Sequence, residues 1–145
     1  MNLLKGVKVS VLKAPTPAAN NTAAFGTGVD MQGFEGVMFI CPVTDSVAGG
    51  VANLQAYQNT ANQSSGATAN SDASASKTSA VDDDINDKAL VVDFYKPTAR
   101  YALPKITSTT QNIAFGNIIA IQYEPGYKPT TQDTTVLTAA LGIGA

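Results

Sequence analysis

Asp93 and Glu124, each set on a β-type run, are the residues whose type best suits catalysis. Two carboxyl groups can divide the acid and base roles of glycoside hydrolysis. Asp93 also has a plainer reading, as a cross-strand partner of Lys96 or Arg100. Asp82-Asp83-Asp84 with Asp87 offers oxygen ligands for a hard cation. The run lacks the alternating ligand spacing and closing glutamate of an EF-hand, so a solvated loop is the simpler account. Gly26-Thr27-Gly28 has no preceding apolar strand, no third glycine at the fingerprint spacing and no following helix, which argues against a nucleotide site. Serine and lysine occur without any local signature that sets a base beside a nucleophile. The chain has no histidine, the side chain best suited to proton transfer near neutral pH, and no tryptophan. Its single cysteine, Cys41, cannot form an internal disulfide and sits in the apolar run Val37-Met38-Phe39-Ile40-Cys41, as a small buried hydrophobe would. These residues point to a scaffold or a binding surface rather than an enzyme, with no metal and no cofactor expected.

With 145 residues the chain fits one domain and can bury a core without disulfides or metals. Its formal net charge of -2 provides no basic stripe for nucleic acid. Lys5, Lys8 and Lys13 gather near the N-terminus, where they either guard a strand edge or form a docking patch for an acidic protein. The opening residues break after Leu3-Leu4, short of a signal-peptide core, and no apolar run approaches the roughly 20 residues of a membrane span. The expectation is a soluble chain made in the cytoplasm, binding neither nucleic acid nor membrane.

The elements that must carry these residues are strands. Helical periodicity is almost absent, and seven prolines and twelve glycines break the chain at short intervals. Val7, Val9 and Val11 alternate with Lys8 and Ser10 as in a half-buried strand. Residues 36–43 are apolar on both faces, and 51–57 form a weaker strand. Residues 58–80 hold no large apolar side chain and read as a long polar surface loop, extending to 87 through the acidic run. Strands follow over 89–95 and 100–107, joined by a tight hairpin at Lys96-Pro97-Thr98-Ala99. Pro104 marks the second of these as an edge strand or a bulge. The longest β run covers 113–123, with a break at Gly116-Asn117 and with Ile119, Ile121 and Tyr123 on one face. Tyr95, Tyr101, Tyr123 and Tyr127 fall in the C-terminal third, where they suit an interface, a sugar platform or the rim of a hairpin. The sum is an all-β single domain, a β-sandwich or jelly roll, with core strands over 31–57 and 88–124. Residues 1–30 make an N-terminal strand and arm, and 125–145 a C-terminal arm.

Three segments carry a family resemblance: Gly33-Phe34-Glu35-Gly36-Val37-Met38-Phe39, Val92-Asp93-Phe94-Tyr95-Lys96-Pro97-Thr98-Ala99-Arg100-Tyr101, and Ile119-Ala120-Ile121-Gln122-Tyr123-Glu124-Pro125. They resemble capsid cement, or decoration, proteins of short-tailed phages of the Bordetella-phage type, over residues 30–130. The resemblance implies a jelly-roll-like fold on the exterior of an icosahedral shell in the virion. It also implies major capsid protein as partner, association of the chain with itself as a dimer or trimer at symmetry axes, and no catalytic residues. From composition, the expected interface residues are Lys5, Lys8, Lys13, Phe25, Tyr127, Lys128, Leu137 and Leu141. A carbohydrate-binding virion module and a head–tail connector or tail subunit are the alternatives.

Overall fold

The computed structural model describes residues 2–144; Met1 and Ala145, the outermost residues of the two expected arms, lie outside the described residues. A helical turn, α1 (Leu3–Gly6), leads into eleven strands among the described residues. They are β1 (Val7–Lys13), β2 (Thr16–Ala19), β3 (Ala23–Phe25), β4 (Val29–Asp30), β5 (Phe34–Ser46), β6 (Val51–Asn59), β7 (Thr68–Thr78), β8 (Lys88–Tyr95), β9 (Tyr101–Thr109), β10 (Ile113–Phe115) and β11 (Ile118–Pro125). All pairings are antiparallel.

Several strands are halves of one track. β1 and β2 flank Ala14-Pro15 and pair with β11 and β10 respectively, and those two share one side of β5. β3 and β4 pair with successive parts of β9. Sheet I is therefore β1/β2, β11/β10, β5, β8, and sheet II is β3/β4, β9, β6, β7. Eight tracks in two four-track sheets, with the chain changing sheet at every connection between tracks except β6–β7, make a jelly roll, as the strand pattern led us to expect.

The core lies between the sheets because alternate residues of each strand point inward. Val37, Phe39, Cys41 and Val43 of β5 meet Leu54, Ala56, Ile106 and Phe115, all essentially inaccessible to water. Each large apolar side chain buried this way contributes about 1.5–3 kcal/mol. Cys41 belongs to this layer; burial pushes its thiol pKa up to about 12, so it is inert at neutral pH. Gln122 faces inward too, and its amide donates to the Asp30 carbonyl, tying β11 to β4 across the sandwich.

Four expectations are corrected. Residues 58–80 are not one loop: β7 occupies 68–78 and pairs with β6 along its length. Its inward positions are Ala73 and Ala75, small enough to sit close over the core, and the hydrogen-bonded ladder to β6 offsets the ordering cost that isolated polar chain cannot meet. The segment 96–99 is not a hairpin turn. It carries the chain from β8 in sheet I to β9 in sheet II, so Asp93 and Arg100 never face each other. Pro104 lies on an interior strand, opposite Ala56. Its carbonyl accepts from Gly26 at the gap between β3 and β4, and the missing N–H points to that same gap. Finally, residues 1–30 are more than one strand and an arm: the strand expected at 7–11 is β1, and the stretch after it is no arm. β1 to β4 are built into both sheets, and Leu12 and Val29 join the core.

Candidate interaction face

The two sheets present different residues to the outside. Across β1, β11, β5 and β8 the register aligns Val11, Ile119, Ile40 and Val91 in one row. The next row is Val9, Ile121, Met38 and Asp93, and the third is Val7, Tyr123, Gly36 and Tyr95. This outward face of sheet I is apolar but for Asp93. Val91 remains 49% exposed, Val11 36% and Tyr95 50%. In an antiparallel sandwich the outward face is ordinarily polar. Sheet II obeys that rule: its corresponding rows are Ala23, Thr107, Asn53, Ser76 and Phe25, Lys105, Gln55, Ser74.

One end of the sheet I face is built around Gly36. An added Cβ there would run into Cζ and Oη of Tyr123, so only glycine lets that ring lie across β5. The Tyr95 and Tyr123 rings then sit parallel within 6°, with centroids 6.2 Å apart. The Tyr123 hydroxyl donates to Asp93 Oδ1, and the Tyr95 hydroxyl donates to Glu124 Oε2 at 3.1 Å. Burial, then the Asp93 carboxylate, raises the Tyr123 pKa above its ordinary value; for Tyr95 the Glu124 hydrogen bond is the main cause of a rise. The Lys96 ammonium lies 5.3 Å from the Tyr95 ring centroid and 4.0 Å from Glu35. Lys96 and Glu124, at the ends of β8 and β11, both hold φ of 51°, a conformation uncommon outside glycine. The three segments that carry the family resemblance thus converge on one end of one sheet.

Asp93 and Glu124, weighed above as an acid and base, are each tied to a tyrosine hydroxyl. The open groove of about 470 Å³ beside Glu124 is lined by Phe34, Glu35, Pro125 and Lys128, without Asp93. The acidic run acts as a brace: Asp82 accepts from the Ala48 amide and Asp84 from the Ala80 amide. Among the described residues, no group of three His, Cys, Asp or Glu is arranged to hold a metal ion. Gly26 and Thr27 spend their amides on the Pro104 and Leu12 carbonyls, leaving no cradle for a phosphate. Among the described residues, no helix is long and apolar enough to cross a membrane.

The residues expected at an interface are scattered. Lys5 lies on α1, Lys8 and Lys13 stand at opposite ends of β1, and Lys13 donates to Thr16 Oγ1. Phe25 packs edge-on against Tyr57 on sheet II, with Lys105 over both rings. Tyr127, Lys128, Leu137 and Leu141 lie on the C-terminal segment, all exposed. That segment first docks on its own chain. Thr130, Gln132 and Thr135 bond the outer edge of β1, where the Gln132 side chain accepts from the Val9 amide and the Thr135 hydroxyl from the Val11 amide. Beyond Thr135, Leu137 is fully exposed and Ile143 is 88% exposed.

Composition did not single out Met38, Ile40, Val91, Ile119 or Ile121 for this face. Their signal was present in strands apolar on both sides, which implies a cover for each face.

No family model matches the chain, and no curated protein does. Among solved structures, the PBSX exported protein XepA aligns with 98% of this chain at 14% identity and a TM-score of 0.56. This chain spans 45% of XepA's length. The SPBc2 prophage-derived protein YomS aligns with 81% of this chain and 93% of its own, at 10% identity and a TM-score of 0.46. The Clostridium thermocellum xylanase 10B fragment, carrying CBM22-1 and GH10 modules and complexed with xylohexaose, aligns with 96% of this chain and 28% of its own, at 12% identity and a TM-score of 0.48. What this chain has in common with XepA is the fold.

Proposed function

We propose that this chain is a virion structural protein of a tailed phage, a cement protein that lies on the outside of the icosahedral capsid, bridges major capsid subunits and catalyses no reaction. The observation that carries the reading is the one-sided sandwich: sheet I keeps an apolar outer face, whereas sheet II is faced mainly with Asn, Gln, Ser and Thr and its aromatic pair, Phe25 and Tyr57, is capped by Lys105. Such a face suits a protein contact. The family resemblance names the shell as that contact, and the fold shared with a protein named for PBSX is compatible with a phage origin. Self-association at symmetry axes belongs to the same reading.

The test is sedimentation of the purified protein with shells assembled from the major capsid protein of the same phage. Co-sedimentation at copy numbers comparable to the shell subunit, with a rise in the temperature at which shells rupture, is the expected result. Ring-like copy numbers would instead indicate a connector or tail subunit, and a protein that stays in the supernatant at every concentration would overturn the reading. A second reading has one observation in its favour, the parallel Tyr95–Tyr123 pair flanked by carboxylates, which suits stacking on a sugar. Binding of the isolated protein on a glycan array would support it.

A further inference from the structure

We infer that the outer face of sheet I, extended by residues 136–144, docks on a flat apolar protein surface that sets one arginine or lysine against Asp93. The inference rests on the chain being a shell-binding subunit and specifies the chemistry of the surface it meets. Asp93 is the lone charge in the three rows of this face, placed beside Met38 in the row that continues to Ile121. Its Oδ1 accepts from Tyr123, and among the described residues no lysine or arginine pairs with it. An ionised carboxylate covered by an apolar partner is strongly disfavoured unless a cation comes with the cover. A carboxylate already oriented by Tyr123 is a prepared acceptor for the two parallel N–H groups of an arginine.

Area decides how far the contact extends. Four strands about 4.8 Å apart, each giving about five residues at about 3.3 Å, cover roughly 300 Å². A stable interface takes about 800 Å² from each partner. The face alone is too small, whether the occupant is a shell or a second copy. The segment that follows the attachment of Thr135 to Val11 carries three exposed apolar residues, Leu137, Leu141 and Ile143. Nine residues reach up to about 30 Å, enough to lie along a neighbouring subunit.

The experiment is shell co-sedimentation with four variants, each checked for an unchanged melting curve. Asp93→Asn keeps the Tyr123 hydrogen bond and should weaken binding at least roughly thirtyfold. Ile121→Lys and a chain ending at Thr135 should bind more weakly still, and Asn53→Lys on sheet II should bind as the parent does. If the parent chain binds no shell, the functional reading falls. If the parent binds and Asp93→Asn and Ile121→Lys bind equally well, this inference falls and the function stands. A dimer of the parent in sedimentation velocity, without shells and abolished by Ile121→Lys, would identify a second copy as the occupant and overturn the shell assignment.

Discussion

Sheets I and II bury their inner faces against one core and differ on the outside. The inward rows of both are large or tightly packed apolar residues, with Phe39 of sheet I and Leu54 of sheet II fully buried in one cluster. Outside, sheet II ends in short polar side chains that water satisfies, together with one self-contained cluster of Phe25, Tyr57 and Lys105. Sheet I ends in Val, Ile, Met and a tyrosine pair whose ordering is local: Gly36 makes room, Asp93 and Glu124 hold the hydroxyls. Folding needs only one apolar face per sheet. The second apolar face of sheet I is more than the shared core requires, and the proposed contact with another surface rests on that excess.

The comparison can be broken most severely from the inside. Phe39→Ala should cost about 3–5 kcal/mol and Leu54→Ala about 2–5 kcal/mol in urea unfolding, because both leave cavities in a closed core. Comparable losses would show that the sheets share that core, and a near-zero loss at either position would refute it. Gly36→Ala should come next, at about 1–3 kcal/mol, since the Tyr123 ring must leave its seat. The tyrosine near-ultraviolet dichroism should fall with it, whereas Gly66→Ala, with open space around the Cβ, strains only its own positive φ and should leave that signal intact.

A smaller effect separates the sheets at alkaline pH. The folded chain holds the Tyr123 proton more tightly than the unfolded chain does. The stability this contributes is fully present below the ordinary tyrosine value of 10.0 and is lost as pH rises beyond it through the raised folded value. Tyr123→Phe should flatten that alkaline decline in melting temperature, and Tyr57→Phe on sheet II should leave it in place. The smallest effect lies at the acid side. Asp30 is held below its ordinary value of 3.8, first by its hydrogen bonds to Arg100, so its contribution is present above that pH and lost as pH falls. The pair is well exposed, so Arg100→Ala should shift the acid midpoint only slightly.

Much of the fold was legible because strand character is written in near neighbours. The alternation of β1, the apolar run of β5 and the break at Gly116-Asn117 all lie where the sequence indicates. β7 was not legible from large apolar residues, because it has none. Its signal was the alternation Ala73-Ser74-Ala75-Ser76, in which alanine suffices to face a close-packed neighbour. The hairpin between β8 and β9 failed for another reason. A link as short as 96–100 suits a turn within one sheet or a step between two, and nothing local distinguishes them. The apolar outer face of sheet I was hidden for a third reason. Its residues come from four strands that are up to about a hundred positions apart in the chain, and lysines near a terminus were a poorer guide to it than apolar residues on the wrong side of a strand.

The sequence by itself determined that this protein is all-β, that its strands carry two alternating faces, and that its chemistry-bearing side chains are few. These follow from composition and from a period of two residues, both local properties. Only the tertiary structure decided which strands are neighbours, and with that the burial of Pro104, the seat of Tyr123 over Gly36 and the apolar outer face of sheet I. Pairing is settled by the packing of distant segments around one core, and a surface exists only once that packing has chosen which of a strand's two sides the core will take.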